Sequence, residues 1–182
     1  MRTPRFHLCV FCGSRPGTHP EFLEAAAALG REVAGVGGAL VYGGAKIGLM
    51  GAVADAALEA GAQVIGVIPE GLAAREIAHP GLTELHVVKS LHERKAMMAA
   101  RSTGFIAMPG GFGTLDEFCE MTTWRQLGLH THPLGLLNTR GYYDGLLKFI
   151  DHAVESGFVS DAHATLLHRS DDPGVLLAEM FP

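Results

Sequence analysis

A glycine-rich segment that ends in an acidic residue is where this sequence could do chemistry. Met108–Glu117 reads Met-Pro-Gly-Gly-Phe-Gly-Thr-Leu-Asp-Glu, with an apolar run before it and an amphipathic run after it. That order predicts a strand, a tight turn and a helix. Glycines let the backbone approach a ligand closely, and the first N–H groups of a helix favour an anion. The segment therefore predicts a phosphate-binding turn, with an unoccupied strand-to-helix connection as the alternative.

The phosphate-binding motifs of two large protein classes do not fit. A nucleoside-triphosphate P-loop needs Gly-Lys followed by Ser or Thr, and the chain contains no Gly-Lys pair. A dinucleotide fingerprint needs Gly-x-Gly-x-x-Gly after the first strand, where Cys12–Gly17 reads Cys-Gly-Ser-Arg-Pro-Gly. The ligand is expected to be a smaller phosphorylated molecule, or one that is held differently.

Glu117 is the first candidate for catalysis. Side chains on a helix lean toward its N-terminus, so this carboxylate should overhang the glycine turn. Thr114 and Glu117 also have the spacing of a capping box, in which the glutamate only caps a backbone N–H, and both interpretations stay open. The hydroxyls of Ser14 and Thr114 are available to a phosphate or ribose, or they cap turns.

Charged residues are predicted at the same edge of the fold. Arg94 and Lys95 fall in the first turn of a helix, where the helix dipole disfavours cations, which points to a role in clamping phosphate. A pair of exposed surface cations is the alternative. Arg75 and Glu76 follow the third predicted strand. The ten histidines show no metal-ligand spacing, so we expect no metal. A Ser/His/Asp triad stays open, although the chain has no Gly-x-Ser-x-Gly segment to carry its nucleophile.

Length and composition limit the class of protein. The chain has 182 residues, which favours a single domain over residues 1–182, and 48% of them are hydrophobic. A net charge of −5 without a basic cluster argues against nucleic acid as the main partner. Cys9, Cys12 and Cys119 suit neither a disulfide framework nor a zinc site, so a reducing, cytoplasmic location is expected. No apolar run approaches the ~20 residues of a membrane helix.

Short apolar strands alternate with helices along the whole chain, which predicts an α/β fold whose mainly parallel sheet has helices on both faces. The predicted strands are Phe6–Cys12, Ala39–Tyr42, Gln63–Ile68, Leu85–Val88, Thr103–Met108, Pro133–Asn138 and Thr165–His168. Two predicted helices begin with a capping box: one runs from Thr18–Glu21 to about Val36, and the other from Ser90 to about Arg101. The other predicted helices are Leu49–Ala60, Thr114–Leu127, Tyr142–Glu155 and Gly174–Met180. Pro69–Gly81 is predicted to be a loop or a short helix. The turns Gly13–Gly17, Gly43–Gly48 and Gly110–Gly113 all follow strands, so they should gather at one edge of the sheet.

The segment Pro109–Glu117 resembles the PGGxGTxxE signature of the Lonely Guy (LOG) family of cytokinin riboside 5′-monophosphate phosphoribohydrolases, whose members were long labelled lysine decarboxylases. The resemblance continues in order through Val10–Ser14, Tyr42–Gly51, Arg75–Glu76, His92–Lys95, Thr123–Gly128 and Gly141–Tyr143. It implies a doubly wound, Rossmann-like homodimer without a cofactor. That enzyme would cleave AMP or prenylated AMP into free base and ribose 5-phosphate.

The resemblance also implies roles for individual residues. Glu117 and Arg94 match the family's catalytic pair, and the Trp124–Gly128 stretch lies on the helix used at the dimer contact. The implied substrate-binding residues are Ser14, Gly43, Gly44, Glu76, Arg94, Lys95, Pro109, Gly110, Gly111, Phe112, Gly113, Thr114, Leu115, Asp116 and Thr122. Arg15, Ala45 and Phe112 depart from residues common in the family, and these departures leave the preferred base open.

Two other classes of function remain as alternatives. Related folds with this glycine turn carry molybdenum cofactor, so a non-catalytic carrier of a phosphorylated cofactor would bind tightly without turnover. A NAD(P)-dependent oxidoreductase is disfavoured by the missing fingerprint. Lysine decarboxylation is disfavoured because none of the lysines has a recognisable pyridoxal-phosphate context.

Overall fold

A parallel β-sheet forms the centre of the protein in a computed structural model that describes residues 3–73 and 78–182. Within these residues the seven strands are β1 His7–Phe11, β2 Ala39–Tyr42, β3 Val64–Pro69, β4 Glu84–Val88, β5 Gly104–Ala107, β6 Leu134–Leu137 and β7 Leu167–Ser170. The α-helices there are α1 Pro20–Gly35, α2 Gly48–Glu59, α3 Glu70–Ala73, α4 Leu91–Ala100, α5 Phe112–Gln126, α6 Asp144–Glu155, α7 Asp161–Ala164 and α8 Pro173–Met180, and a 3-10 turn spans Thr139–Gly141.

The strands lie in the order β4-β3-β2-β1-β5-β6-β7, and every pairing between neighbours is parallel. The chain winds outward from β1 in one direction and then, after β4, crosses back to β5 on the other side of β1. Leu8 of β1 lies beside Gly104 of β5 at this crossover. The order confirms the predicted doubly wound, Rossmann-like sheet, and it places the switch point between β1 and β5, where such sheets bind ligands.

Two apolar cores, one on each face of the sheet, confirm that helices cover both sides. Helices α1, α2 and α8 pack on one face, and α4, α5 and the start of α6 pack on the other. Gly30 of α1 allows α2 to approach closely, because a Cβ there would overlap the Val53 carbonyl. Strands β2 and β3 are buried along their whole length, as is typical of a sheet covered on both faces.

The structure differs from the predicted elements mainly near their ends. The predicted capping box at Thr18 is wrong, because Pro20 occupies the first helical position and His19 is the N-cap without a side-chain bond. The one at Ser90 is confirmed in part: its hydroxyl accepts from Glu93 N–H (3.1 Å), while the Glu93 carboxylate accepts from the N–H of Lys89. The short helix α7 was not predicted, and the last strand that follows it begins at Leu167 instead of at Thr165.

Candidate active site

The turns that follow β1, β2 and β5 meet at the carboxyl edge of the sheet, as predicted. Gly13 N–H donates to the Pro109 carbonyl (3.0 Å), which joins the turn after β1 to the glycine turn after β5. Leu49 N–H at the start of α2 donates to the Gly13 carbonyl (3.1 Å). Gly48 has a positive φ of 59° and packs on the backbone of Ser14. The switch point therefore brings two helix N-termini, those of α2 and α5, to one place.

The glycine turn leads directly into α5, whose N-cap is Gly111. Because α5 begins at Phe112, Thr114 is its third residue and is not an N-cap, so the capping-box alternative for Thr114 and Glu117 is wrong. Gly110 must be a glycine, since a Cβ there would overlap the Thr114 hydroxyl. The turn thus presents Gly113 and Thr114 in the first turn of a helix at the sheet edge.

Arg94 is buried, so the alternative that it is an exposed surface cation is wrong. Its Nη2 donates to the Gly43 carbonyl (3.3 Å), and its Nη1 lies 3.9 Å from Glu117 Oε1. The side chains of Arg94 and Glu117 are only 7% and 12% exposed. Arg94 Nε has no hydrogen-bond partner among the described residues. A buried guanidinium donor without an acceptor is costly, and a bound anion would satisfy it.

The low polarity around this pair also affects the neighbouring thiol. Cys12 is fully buried, and burial raises its pKa well above the ordinary range, with a smaller contribution from the nearby Glu117 carboxylate. The positive charge of Arg94 lowers the pKa of Cys12, but by less than burial raises it. Cys12 therefore remains a neutral thiol, and it contributes an apolar wall and no nucleophile.

Two adjoining cavities open at the switch point. The smaller, of about 180 Å³, contains both members of the buried ion pair. Its lining residues are Cys12, Gly13, Ser14, Met50, Arg94, Gly111, Gly113, Thr114 and Glu117. The larger, of about 400 Å³, shares Gly13, Ser14 and Gly111 with it and is otherwise lined by Arg15, Pro16, Gly17, Phe22, Leu49, Pro109, Gly110 and Tyr142. Together they have the size and mixed polarity of a site for a small ligand.

Several predicted substrate-binding residues lie away from these cavities. Lys95 binds Asp116 (2.9 Å) and Glu120 (3.2 Å), which joins α4 to α5. The hydrogen bond that Lys95 donates to Asp116 raises the pKa of Lys95. Thr122 donates its hydroxyl to the Phe118 carbonyl and borders a separate cavity of about 90 Å³ beside α6 and α7.

The other predicted residues have supporting positions. Phe112 is 92% exposed at the start of α5, and Leu115 packs on the core under that helix. Gly44 has a positive φ of 78°, and its carbonyl accepts from His79 N–H (2.9 Å). Glu76, like Arg75, lies outside the described residues.

Sequence reasoning did not assign a role to the aromatic residues of the larger cavity. Phe22 belongs to the first turn of α1, and Tyr142 follows the 3-10 turn after β6. Their rings meet edge to face with centroids 6.0 Å apart. Tyr142 appeared in the sequence only as part of a family match, and nothing in its spacing showed that it would reach the glycine turn.

We expect Gly43→Ala to lower kcat/KM for the reaction proposed below by about 100-fold, because the new methyl group would overlap Arg94 Nη2 and push the guanidinium away from Glu117. Steady-state kinetics on the purified variant would test this. Gly145→Ala is the matched control, since a Cβ at that helical position meets nothing within 4 Å. Equal activity of the two variants would show that Gly43 does not hold Arg94 in place.

The described part of the chain contains neither a cluster of metal-binding residues nor a membrane-spanning helix. No group of three or more His, Cys, Asp or Glu residues there could hold a metal ion. The same residues include no helix with the length and apolar character needed to cross a bilayer.

Comparison with known proteins extends the resemblance. A family model described as "Possible lysine decarboxylase" matches residues 50–180. The cytokinin riboside 5′-monophosphate phosphoribohydrolase LOG1 of Arabidopsis thaliana is 52% identical over 153 residues, which is 84% of this chain and 72% of the relative. The cytokinin riboside 5′-monophosphate phosphoribohydrolase of Rhodococcoides fascians is 51% identical over 161 residues, or 88% and 81% of the two chains.

A solved structure shares the fold. The molybdenum cofactor carrier protein of Chlamydomonas reinhardtii superposes with a TM-score of 0.73 at 25% identity, and the match covers 98% of this chain and 96% of that one. The closer sequence relatives and the family model agree over most of the length, including α5 and its glycine turn. The chain therefore belongs to the Lonely Guy (LOG) family.

Proposed function

We propose that this protein hydrolyses the N-glycosidic bond of adenosine 5′-monophosphate or its N6-prenylated form, giving free base and ribose 5-phosphate. The observation that carries the proposal is the buried Arg94–Glu117 pair, which lies in one cavity with the glycine turn. Relatives about half identical to this chain are named for this activity on cytokinin riboside 5′-monophosphates. The phosphate would bind at the first turn of α5, beside Gly113 and Thr114.

The chemistry requires one anionic group close to the sugar. As the C1′–N9 bond breaks, its electrons go to the base and positive charge develops on the ribose, which the Glu117 carboxylate stabilises. Glu117 also takes a proton from the attacking water, whose oxygen bonds to C1′, and that proton ends on the departing base. Arg94 holds the Glu117 carboxylate in place through their 3.9 Å contact. Ser14 lines both cavities and offers a hydroxyl to the ribose or phosphate.

Product analysis would test the proposal directly. The protein is incubated separately with AMP and with isopentenyladenosine 5′-monophosphate, and the products are separated by chromatography. Free base with ribose 5-phosphate is the expected result, and the ratio of the two rates ranks the substrates. Nucleoside with inorganic phosphate would instead identify a phosphatase and remove the proposed role of Glu117.

A carrier of a phosphorylated cofactor is the second candidate, since the solved structure of a molybdenum cofactor carrier shares the fold. A carrier needs donors for the phosphate but has no use for a carboxylate beside it. Glu117 in the same cavity as Gly113 and Thr114 would repel an anion, so it favours the hydrolase. Tight binding of both nucleotides without any turnover would favour the carrier.

The C-terminal end of α5 supports a proposal of a homodimer. Leu127 and Leu129, which follow α5, are 66% and 67% exposed, and exposed apolar side chains this close together are typical of an interface. We expect the Leu127→Glu/Leu129→Glu variant to elute as a monomer while the parent protein elutes as a dimer, measured by size exclusion with light scattering. Val175→Glu on α8 introduces one such charge at another exposed apolar position and should leave the dimer intact. A dimeric double variant would place the interface elsewhere.

A cytoplasmic location belongs to the same proposal. Cys9, Cys12 and Cys119 are free thiols, which supports a reducing compartment. Both nucleotide substrates are small, phosphorylated molecules, so we expect the site at the switch point to account for the activity without a nucleic-acid partner.

A further inference from the structure

Hydrogen bonds from outside the glycine turn hold the carbonyl groups that lead into it. The Tyr143 hydroxyl donates to the Met108 carbonyl (2.5 Å), and the Tyr142 hydroxyl donates to the Gly110 carbonyl (2.5 Å). The carbonyl of Pro109, between them, accepts from the turn after β1, as described above. Each of these three carbonyl oxygens therefore accepts a hydrogen bond from a neighbouring element.

The direction of a carbonyl fixes the direction of the next N–H group. A trans peptide is planar, so the Gly110 carbonyl and the Gly111 N–H point to opposite sides of the same plane. Both residues are glycines, for which rotation of the peptide between them has little steric cost. A rotated peptide would turn its carbonyl oxygen toward the space that its N–H had faced. The Tyr142 hydroxyl opposes that rotation because it would lose its acceptor.

The N–H groups of this turn are the ones an anion would use. Gly111 borders both cavities, and neither its N–H nor that of Gly113 has an acceptor among the described residues. Arg94 Nε, also in the smaller cavity, has none either. Several donors without acceptors at one point match the oxygens of a phosphate group.

We propose that Tyr142 is a positioning residue that, by holding the Gly110 carbonyl, aims the Gly111 N–H at the 5′-phosphate of the substrate. This inference rests on the proposed function for the identity of the ligand. It assigns to the loop after β6 a part in phosphate binding, although that loop itself supplies no group to the phosphate.

The segment that carries Tyr142 is well anchored. Asn138 Oδ1 accepts from Tyr143 N–H (2.7 Å), and the Arg140 guanidinium binds Glu21 of α1 (2.6 Å). Arg140 has a φ of 57°, a left-handed conformation that costs a non-glycine residue energy and persists only where its surroundings hold it. A fixed segment is what a positioning role for Tyr142 requires.

Tyr143 provides a matched control within the same loop. It also gives its hydroxyl to a carbonyl of the turn, but the peptide after Met108 belongs to Pro109, which has no N–H to aim. Tyr143→Phe therefore removes an equivalent hydrogen bond without freeing an N–H of the anion site. We expect it to lower the Tm while it leaves phosphate binding unchanged.

The experiment measures binding of AMP and of adenosine by calorimetry, in the Glu117→Gln background so that turnover does not interfere. Tyr142→Phe, which keeps the ring that lines the larger cavity, should weaken AMP binding about tenfold and leave adenosine binding within about twofold. Tyr143→Phe should leave both affinities within about twofold.

Three outcomes would overturn the inference: unchanged AMP affinity in Tyr142→Phe, equal weakening of AMP and adenosine, or a loss in Tyr143→Phe as large as that in Tyr142→Phe. Turnover is measured separately on the protein with Glu117 intact. If that protein binds AMP but releases no base, the hydrolase proposal fails, and the binding comparison still decides the role of Tyr142.

Discussion

Glu117→Gln is expected to fold normally and to lose between about 10²- and 10⁴-fold in kcat, with a much smaller change in KM. The amide has nearly the shape of the carboxylate but carries no charge, so it can neither stabilise the developing ribose cation nor accept a proton from water. Its 3.9 Å neighbour Arg94 would lose its counter-charge, which leaves a buried cation. Product chromatography against time gives kcat, and thermal unfolding shows whether the fold is intact.

The control for this substitution is Glu24→Gln, the same change at an exposed position of α1 that faces solvent away from the cavities. We expect it to have the activity of the parent protein. If Glu117→Gln were equally active, the ion pair would be structural and another group would have to activate water. A variant that binds AMP more tightly while it turns over slowly would strengthen the assignment, because loss of the carboxylate removes repulsion of the phosphate.

Arg94→Lys should lower kcat/KM by about 100-fold although it keeps the positive charge. The guanidinium reaches the Gly43 carbonyl and Glu117 at the same time through two nitrogens, whereas a lysine ammonium is a single point that serves one of them. The exchange therefore either leaves the buried Gly43 carbonyl without its donor or moves the positive charge away from Glu117. Steady-state kinetics with AMP would measure the effect.

Arg101→Lys makes the same exchange at the C-cap of α4, where Arg101 pairs with Glu84 at the surface. It should change kcat/KM by less than twofold, since exposed ion pairs contribute little. Comparable losses in both variants would mean that Arg94 acts only through the stability of the helix.

The fold and the approximate place of the site could be predicted from the sequence because both depend on local patterns. Alternating apolar strands and helices specify a parallel sheet, and strand-ending glycine turns must then share its carboxyl edge. Glu117 was assigned correctly to the cavity at the glycine turn, because a helical side chain leans toward the N-terminus. Its catalytic role stays a prediction.

The positions of neighbouring residues show where the same reasoning stops. Arg94 and Lys95 were predicted together, but successive residues of a helix point about 100° apart, so only Arg94 enters the cavity while Lys95 turns to Asp116. Thr122 lies five positions beyond Glu117, which places it about 140° around α5 and toward α6. Neither Lys95 nor Thr122 lines the two cavities of this chain, so a contact of either residue with substrate would require a site that extends beyond them.

The individual hydrogen bonds between distant segments could not be predicted from the sequence. The bond between Arg94 and Gly43 spans 51 positions, and no periodicity in the sequence marks it. The same holds for Tyr142 and Gly110, which are 32 positions apart. Such pairs depend on how strands are ordered in the sheet, and a single sequence specifies that order only through the packing of the whole domain.

The pairing of β1 with β5 has a consequence for the time at which the site forms. His7 and Thr103, which are hydrogen-bonded at this seam, lie 96 positions apart, so β1 leaves the ribosome long before its partner. The half formed by β1 to β4 can collapse first. The cavity between β1 and β5 forms only after the long chain segment between these two strands has closed into a loop. Because the turns after both strands build the cavity, we expect catalytic competence to appear only with the last cooperative step of folding.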